Sequence, residues 1–335
     1  MNDNQQTDLW CITEEGFQPD NQLASESSLG ISNGYIGQRA DFEEHYSGVT
    51  KSGSYIAGVY YQETDQNKAQ ESGLLNSCNR LLNTPDWDGI IVRLNDEIVD
   101  LATWEVQNFK RTLNMHDGVL ERTFEAVSPR NHRIKVSVKR FLSMAKTEIA
   151  AINYSVKSLD FDGRISFMPI INADVKNPYL NDNEQLWNVL QIKAQQDVSY
   201  LWAQARHKNF QFCGAHSYAL YKNNEQLKVN PTKIEKERIA GFSIGTDVKK
   251  GDTVYMNKYI AITDSLTQPN QNLPEYVCQL ALEAKEKGWT KLLEEHSGVW
   301  AAKWFQANLA EGSDVETQQA IRHKIFMNNM YFDNE

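Results

Sequence analysis

The chain has little cysteine, no long apolar run and fewer basic than acidic residues. Its four cysteines, Cys11, Cys78, Cys213 and Cys278, are far apart and form no C-x-x-C pair, so no disulfide framework is expected in a chain of 335 residues. No stretch of 18 apolar residues is present, so no transmembrane helix is predicted. The only close Cys/His pair is Cys213 with His216, and two ligands are too few for a zinc site.

The charge balance also excludes classes of partner. The 44 acidic residues outnumber the 34 basic ones and give a formal net charge of −10. Nucleic-acid binding depends on Lys and Arg side chains that neutralise phosphates, so this balance argues against nucleic acid and against an anionic membrane surface. The N-terminal residues are polar and show neither the basic nor the apolar region of a secretory signal. These features predict a cytoplasmic protein.

Residues 25–40 are the most distinctive stretch of the sequence. Its marked positions are Gly30, Gly34 and Gly37 around Asn33, Tyr35 and Arg39, with Glu26 just before them. Asn-Gly is the dipeptide most favoured by type I′ turns, so a tight, buried turn is predicted. A phosphate-binding loop is the alternative, but the G-x-x-x-x-G-K-[ST] spacing is missing and no apolar strand leads into the glycines.

From about residue 110 to residue 265 the pattern is that of a β protein. Turn signals are frequent, and Ile134, Val136 and Val138 alternate with polar residues, as in a strand with one buried face. The predicted strands are Val119–Phe124, Ile134–Phe141, Ile149–Val156, Ile165–Ile171 and Val254–Ile262. No helix-length apolar stripe separates them, which favours a large antiparallel β-sandwich over a βαβ sheet.

After Pro269 the periodicity becomes helical. Apolar residues at helical spacing predict two helices near 275–287 and 289–308 beside the sandwich, and a third from Val315 to about Tyr331. His296 lies in the same stripe as Trp300 and Trp304. A core histidine within an aromatic stripe is the favoured interpretation, and a catalytic or sugar-binding role is the alternative.

Four segments together resemble one known family. They are Glu26-Ser-x-x-x-x-x-Asn33-Gly34-Tyr35-x-Gly37-x-Arg39, Leu82-Asn83-x-Pro85-x-Trp87, Leu113-Asn-Met-x-x-Gly118-Val-Leu-x-Arg122-Thr-Phe and Arg140-Phe-Leu-Ser143. In this order they resemble glycoside hydrolase family 65, which holds the maltose, kojibiose, nigerose and trehalose phosphorylases and related hydrolases. Ala40 departs from the family pattern, which usually has Gly there.

The resemblance implies three parts. They are an N-terminal β-sandwich (a supersandwich) at 1–268, a helical linker at 269–312, and the first helix of an (α/α)6 catalytic barrel at 313–335. It also implies inverting cleavage of an α-linked glucose disaccharide, with inorganic phosphate as co-substrate of the phosphorylase type and no cofactor. The acid and the other catalytic groups would lie in the barrel beyond residue 335. The chain alone is therefore expected to be inactive, with the barrel as its partner; a homodimer is compatible with the resemblance.

No catalytic, cofactor-binding or metal-binding residue is named from the sequence. Its adjacent acids are Glu14/Glu15, Asp41/Glu43/Glu44 and Glu294/Glu295, and each set is predicted to be solvated surface charge. The alternatives are a free-standing carbohydrate-binding or interaction module and an unrelated enzyme. The third helix favours the domain interpretation, because its apolar face, with Ile321, Ile325 and Phe326, is expected to lack a partner within the chain.

Overall fold

The computed structural model of the chain describes residues 9–64, 77–176, 185–206, 208–307 and 314–330. Within these ranges the protein is mainly β, which confirms the predicted fold class. The strands are β1 (Cys11–Glu15), β2 (Ile31–Ser32), β3 (Ile36–Gln38), β4 (Ser54–Ile56), β5 (Tyr60–Thr64), β6 (Ser77–Leu81), β7 (Ile90–Leu94), β8 (Glu97–Ile98), β9 (Glu105–Asn114), β10 (Val119–Val127), β11 (Arg133–Leu142), β12 (Ile149–Ser158), β13 (Gly163–Asn172), β14 (Trp187–Gln195), β15 (Val198–Ala205), β16 (Gln211–Lys222), β17 (Glu225–Leu227), β18 (Thr232–Lys236), β19 (Ile239–Val248) and β20 (Thr253–Asp264). The helices are a 3-10 turn at Pro19–Asn21, α1 (Gln22–Ser28), α2 (Leu273–Ala307) and α3 (Val315–Met330).

Two antiparallel sheets form the sandwich. The larger has the order β1-β9-β10-β11-β12-β20-β16-β15-β14, with β17 paired to β16, and the smaller has the order β18-β19-β13-β7-β8. The short sheets β2-β3-β4 and β5-β6 complete the β structure of the described ranges. Antiparallel neighbours can be joined by short turns, so these strands need no crossover helices. None of the described helices is long and apolar enough to span a membrane.

The main core lies between the two sheets. Ile134, Val136 and Val138 of β11 are buried there, as their alternation predicted. They belong to one apolar cluster with residues of the smaller sheet such as Phe167 and Phe242. Each such side chain is stabilised by about 1.5–3 kcal/mol on burial, so the inter-sheet layer is the main source of stability.

Helix α2 covers part of the outer face of the larger sheet. It is broken at Gly288, where two helices meet, so the two helices predicted near 275–287 and 289–308 are confirmed. Its apolar side chains, among them Val277 and Leu292, form a second cluster with Phe141 and Tyr259 of the sheet. This face of the sheet is therefore apolar beneath the helix.

The third helix differs from the prediction in its packing. Its position at Val315–Met330 agrees, but the expectation that its apolar face lacks a partner is wrong for Phe326, which is buried and stacks on Trp300 at 4.6 Å. Ile325 packs against the same cluster, whereas Ile321 is 44% exposed. The reason is that Trp300 and Trp304 of α2, with Trp10 just before β1, form an aromatic surface against which α3 packs. Sequence spacing alone does not show that these residues meet.

Candidate functional site

Three arginines on neighbouring strands form a buried ionic network at one side of the core. Arg111 of β9, Arg122 of β10 and Arg140 of β11 are each 4% exposed or less. They lie at the inward-facing positions of strands whose other inward residues are apolar. Charged groups are rarely buried unless they are paired, so each guanidinium must have carboxylate or carbonyl partners.

The partners come mainly from the segment that follows the glycine stretch. Arg122 donates to both carboxylate oxygens of Glu44, each at 2.5 Å, and to Glu43 at 2.7 Å. Arg140 lies 3.0 Å from Glu43 and donates to Asp88 at 2.9 Å. A planar guanidinium group can bind a carboxylate through two parallel hydrogen bonds. Such a pair neutralises the charge of the acid and also fixes the position of the segment that carries it.

Arg111 ties the first strand to the same segment. It donates twice to Glu14, at 2.9 and 2.7 Å, and once to the carbonyl oxygen of Ala40 at 2.7 Å. The prediction that the acids at 14 and at 41–44 are solvated surface charge is therefore wrong for Glu14, which is partly buried and paired, and for the buried Asp41, Glu43 and Glu44. The predicted solvated position of Glu294 is confirmed, because its side chain is 60% exposed.

The network perturbs its carboxyl groups in opposite directions. Burial would raise the pKa of Glu43, but Arg140 and Arg122 lower it. Burial raises the pKa of Asp41 to about 8, because Arg140 offsets it only in part and Asp86 and Glu26 add repulsion. Burial also raises the pKa of Asp88, with repulsion from Asp86 and Asp41. Asp41 and Asp88 therefore favour the protonated form more than Glu43 does.

A buried lysine from the middle of the larger sheet completes the network. Lys258 of β20 donates to the carbonyl oxygens of Trp87, Gly89 and Ile170 at 2.8, 3.0 and 2.8 Å. Burial lowers its pKa to about 8, with Asp86 opposing the effect. All three protons of the ammonium group are used on backbone, so Lys258 ties the larger sheet to the segment around Trp87 and to β13 of the smaller sheet.

These groups are arranged for structure and not for chemistry. The carboxylates of Glu43 and Glu44 are paired with arginines, and Glu44 also accepts from the hydroxyl group of Tyr154. Both lie in the packed interior, where a substrate has no access. A general acid or base needs a proton-transfer partner within hydrogen-bond reach of a bound substrate. The geometry of the network therefore fits a structural role in holding the sandwich together.

The glycine stretch forms a structural turn, although not of the predicted type. Type I′ turns need positive φ at both central residues, but of Asn33 and Gly34 only the glycine has it, at 87°. The Asn33 side chain shapes the turn instead: Oδ1 accepts from the backbone of Tyr35 and Ile36, and Nδ2 donates to the carbonyl oxygen of Ser143 at 2.9 Å. The start of the stretch belongs to α1, a short helix that sequence reasoning missed.

The remaining marked residues of the stretch are also structural. The Tyr35 hydroxyl donates to Asp264 at 2.6 Å, and burial followed by this carboxylate raises the pKa of the phenol. Glu26 is fully buried and accepts from Thr50 and from the backbone of Lys51. Arg39 lies 3.9 Å from Glu26, at the edge of the same cluster.

His296 has the core position that was the favoured interpretation. Its Nδ1 accepts from the backbone N–H of Met144 and its Nε2 donates to the carbonyl oxygen of Gly118, both at 3.1 Å. Burial lowers its pKa to about 4, so the ring is neutral at physiological pH. Trp300 and Trp304 stack beside it at 5.8 Å from each other, and the cluster joins α2 to the sheet.

The residues considered for metal binding do not meet. Cys213 packs under α2, whereas His216 contacts Phe242 of the smaller sheet, because positions three apart on a strand face opposite ways. In the described ranges no group of three or more His, Cys, Asp or Glu side chains is placed to hold a metal ion.

A pocket of about 620 Å³ lies on the outer face of the larger sheet, beside the break at Gly288. Its floor is formed by side chains of β11, β12, β20 and β16, and Trp289 forms part of its wall. On the floor the rings of Tyr221 and Tyr255 lie parallel, with centroids 4.7 Å apart and 8° between their planes. No sequence motif marks this pocket, because its residues come from four strands and a helix.

Known proteins share this architecture. The chain is 27% identical to the maltose phosphorylase of Bacillus subtilis over 319 residues, and 25% identical to the alpha,alpha-trehalose phosphorylase of Thermoanaerobacter brockii over 330 residues. Each match covers 95% of this chain and 42% of the relative, so the chain spans well under half of their length. A solved structure titled putative kojibiose phosphorylase from human microbiome has the same fold, with a TM-score of 0.81 at 23% identity, over 97% of this chain and 42% of that one.

The family follows from a match to a family model. Residues 12–303 match the family model described as glycosyl hydrolase family 65, N-terminal domain. This range includes the ionic network, the glycine turn and the pocket, and it confirms the resemblance seen in the four sequence segments. The chain therefore belongs to glycosyl hydrolase family 65 and carries the N-terminal domain of that family.

Proposed function

We propose that this chain is the non-catalytic supporting domain of an inverting enzyme that cleaves an α-linked glucose disaccharide, with inorganic phosphate or water as the attacking group. Its relatives are named as phosphorylases of maltose, trehalose and kojibiose, and the chain matches about two fifths of each of them. On this proposal the sugar and the phosphate bind mainly to a catalytic barrel, and this domain packs against it.

The observation that carries the proposal is the apolar outer side of the last two helices. Phe305 at the end of α2 is 87% exposed, and Val315 and Ile321 of α3 are 46% and 44% exposed. The same helices are anchored to the sandwich through Trp300 and Phe326. Large apolar side chains on an anchored surface are typical of an interface, and a barrel that follows α3 is the partner that this surface fits.

Among the described residues, the buried acids offer no usable acid/base pair, and this points the same way. Inverting glycoside cleavage needs two groups on opposite sides of the bond, with room for the attacking group between them. The buried carboxylates described above are held by Arg122 and Arg140 and have no such room. The chemistry is accordingly assigned to the barrel.

The activity of a fusion protein tests this role. This chain, fused to the part of the Bacillus subtilis maltose phosphorylase that lies beyond its match, should phosphorolyse maltose, and Phe305→Lys should lower that activity several-fold. Val49→Lys changes another exposed apolar residue, away from the helices, and should leave the activity unchanged. If the remaining part of the phosphorylase is equally active without this domain, the supporting role is wrong.

A second measurement does not depend on the fusion. In light scattering, the isolated chain should self-associate through the exposed apolar residues, and Phe305→Lys with Ile321→Lys should reduce the association. Val49→Lys with Leu266→Lys is the matched control, since those residues are 69% and 62% exposed elsewhere on the surface.

A second candidate function is carbohydrate binding by the domain itself. It is favoured by the pocket beside Gly288, which combines parallel tyrosines with amide and hydroxyl groups. This role is compatible with the first, because the pocket and the exposed apolar residues involve different side chains.

A further inference from the structure

We propose that the pocket beside Gly288 is a binding site for a neutral oligosaccharide, with the ring of Tyr255 as its stacking platform. The proposal deepens the carbohydrate-binding role proposed above by assigning it to particular side chains. It concerns a site separate from any barrel active site, on the face of the larger sheet that α2 leaves uncovered.

The strand register explains why one face of Tyr255 is open. Tyr255 of β20 pairs with Tyr221 of β16 on one side and with Ser155 of β12 on the other. The two tyrosine rings stack on each other, which covers one face of the Tyr255 ring. The other face lies toward the small side chain of Ser155, which cannot cover an aromatic ring.

The neighbouring cross-strand pair on the same face of the sheet supplies polar groups. Asn153 and Asn257 are paired in the register one step closer to the helix, and Asn153 Nδ2 donates to Asn257 Oδ1 at 2.6 Å. This bond leaves Oδ1 of Asn153 as an acceptor. The hydroxyl groups of Ser155, Tyr221 and Tyr255 belong to side chains that line the same pocket.

The charges around the pocket select against an anionic ligand. Its two cationic side chains are already paired: Lys139 donates to Glu121 at 2.8 Å and Lys287 donates to Glu295 at 2.9 Å. No Asp or Glu is among the described residues that line the pocket. Phosphate recognition depends on cations that are free to bind, so the lining fits a ligand that is polar and uncharged.

Aromatic rings with amide and hydroxyl groups match the two kinds of surface on a sugar. The C–H faces of a pyranose ring pack on an aromatic face, and its hydroxyls exchange hydrogen bonds with polar side chains at the edge. Trp289 offers a second aromatic wall, held edge-on against Phe141 with centroids 5.2 Å apart. The volume of about 620 Å³ lies in the range of small-molecule sites and accommodates more than one sugar unit.

Isothermal titration of the full chain with maltotriose, cellotriose and inorganic phosphate tests the proposal. At least one trisaccharide should bind, and phosphate should not. Tyr255→Ala should weaken binding about tenfold, whereas Tyr255→Phe, which keeps the ring, should weaken it less than about threefold. The trisaccharide that binds identifies the linkage preferred.

A variant that covers the proposed binding surface tests the site without removing the Tyr255 ring. Ser155→Tyr adds a ring over the open face of Tyr255 and should also weaken binding about tenfold, while Lys157→Tyr places the same ring two residues further along β12 and should not. If neither trisaccharide binds, if the variants leave binding unchanged, or if phosphate binds here instead, the proposal is wrong. Those outcomes leave the supporting role untouched, since that role is measured by turnover of the fused protein.

Discussion

The guanidinium group of Arg122 holds both carboxylate oxygens of Glu44 at 2.5 Å inside the protein. The phenol of Tyr154 donates to the same carboxylate at 3.1 Å, so Glu44 accepts hydrogen bonds from two residues of the larger sheet. The two residues are 78 positions apart, and their contact fixes the segment after the glycine turn onto the larger sheet. The acids at positions 41–44 therefore have a structural role in the domain.

Breaking this pair from one side should be costly. Arg122→Met keeps the approximate size of the side chain but leaves Glu43 and Glu44 without their cation, so the free energy of unfolding should fall by about 3–5 kcal/mol. Lys139→Met removes the cation from a partly exposed pair with Glu121 and should cost at most about 1 kcal/mol. Urea unfolding of both variants measures the difference, and equal losses would contradict a buried network that holds the sheet.

The raised pKa of Asp41 predicts a pH-dependent loss of stability. Its folded value is about 8 against an ordinary value of 3.8, so the folded protein binds a proton that the unfolded chain releases between these values. The contribution of this group to stability is complete below about pH 4 and is lost as the pH rises through 8. The groups that face it are Arg140, Asp86 and Glu26.

Asp41→Asn should remove that loss. Relative to the unchanged chain, the variant should gain stability as the pH is raised from 4 to 8, and the difference should level off above 8. Thermal unfolding at a series of pH values measures it. Parallel curves for the two proteins would mean that Asp41 is not protonated in the folded state.

Two glycine substitutions separate the cost of a steric clash with α2 from the cost of backbone strain. Gly118 has a φ of 67°, and a Cβ there would lie 2.0 Å from Nε1 of Trp300, whereas Gly251 has a φ of 91° and open space around it. Gly251→Ala should therefore cost only the strain of a left-handed residue, about 1–2 kcal/mol. Gly118→Ala should cost several kcal/mol more, because α2 must move away from the sheet. Chemical denaturation compares the two, and similar costs would mean that the helix yields easily.

The burial of Phe326 reverses the expectation for the last helix. Phe326→Ala should lower the free energy of unfolding by about 3–5 kcal/mol, and removing residues 311–335 should lower the melting temperature by several degrees. Ile321→Ala changes a half-exposed residue of the same helix and should stay within about 0.5 kcal/mol. A truncated chain that melts with the full chain would show that α3 contributes nothing to the sandwich.

The sequence was sufficient for the regular parts of the fold. The alternation of Ile134, Val136 and Val138 placed β11 correctly, since strand periodicity depends only on near neighbours. The helical stripe around Val277 and Trp300 placed α2 for the same reason.

The sequence was not sufficient for contacts made across long separations. Adjacent acids such as Glu43 and Glu44 usually lie at the surface, and their partner Arg122 is on a distant strand. One signal was available: Arg122 lies between Leu120 and Phe124 at the inward-facing positions of β10, where an apolar residue is expected. A charge at such a position indicates a buried ion pair. Arg122 therefore signals that some of the acids predicted at the surface are buried with it.

The central claim is that this chain provides a structural domain and not the catalytic groups. The most direct measurement is release of glucose 1-phosphate from maltose, kojibiose, nigerose and trehalose by the purified chain in phosphate, with the whole Bacillus subtilis maltose phosphorylase as the positive control on maltose. We predict no turnover above background. Turnover that survives purification and disappears in Glu44→Gln or Asp41→Asn would contradict the claim.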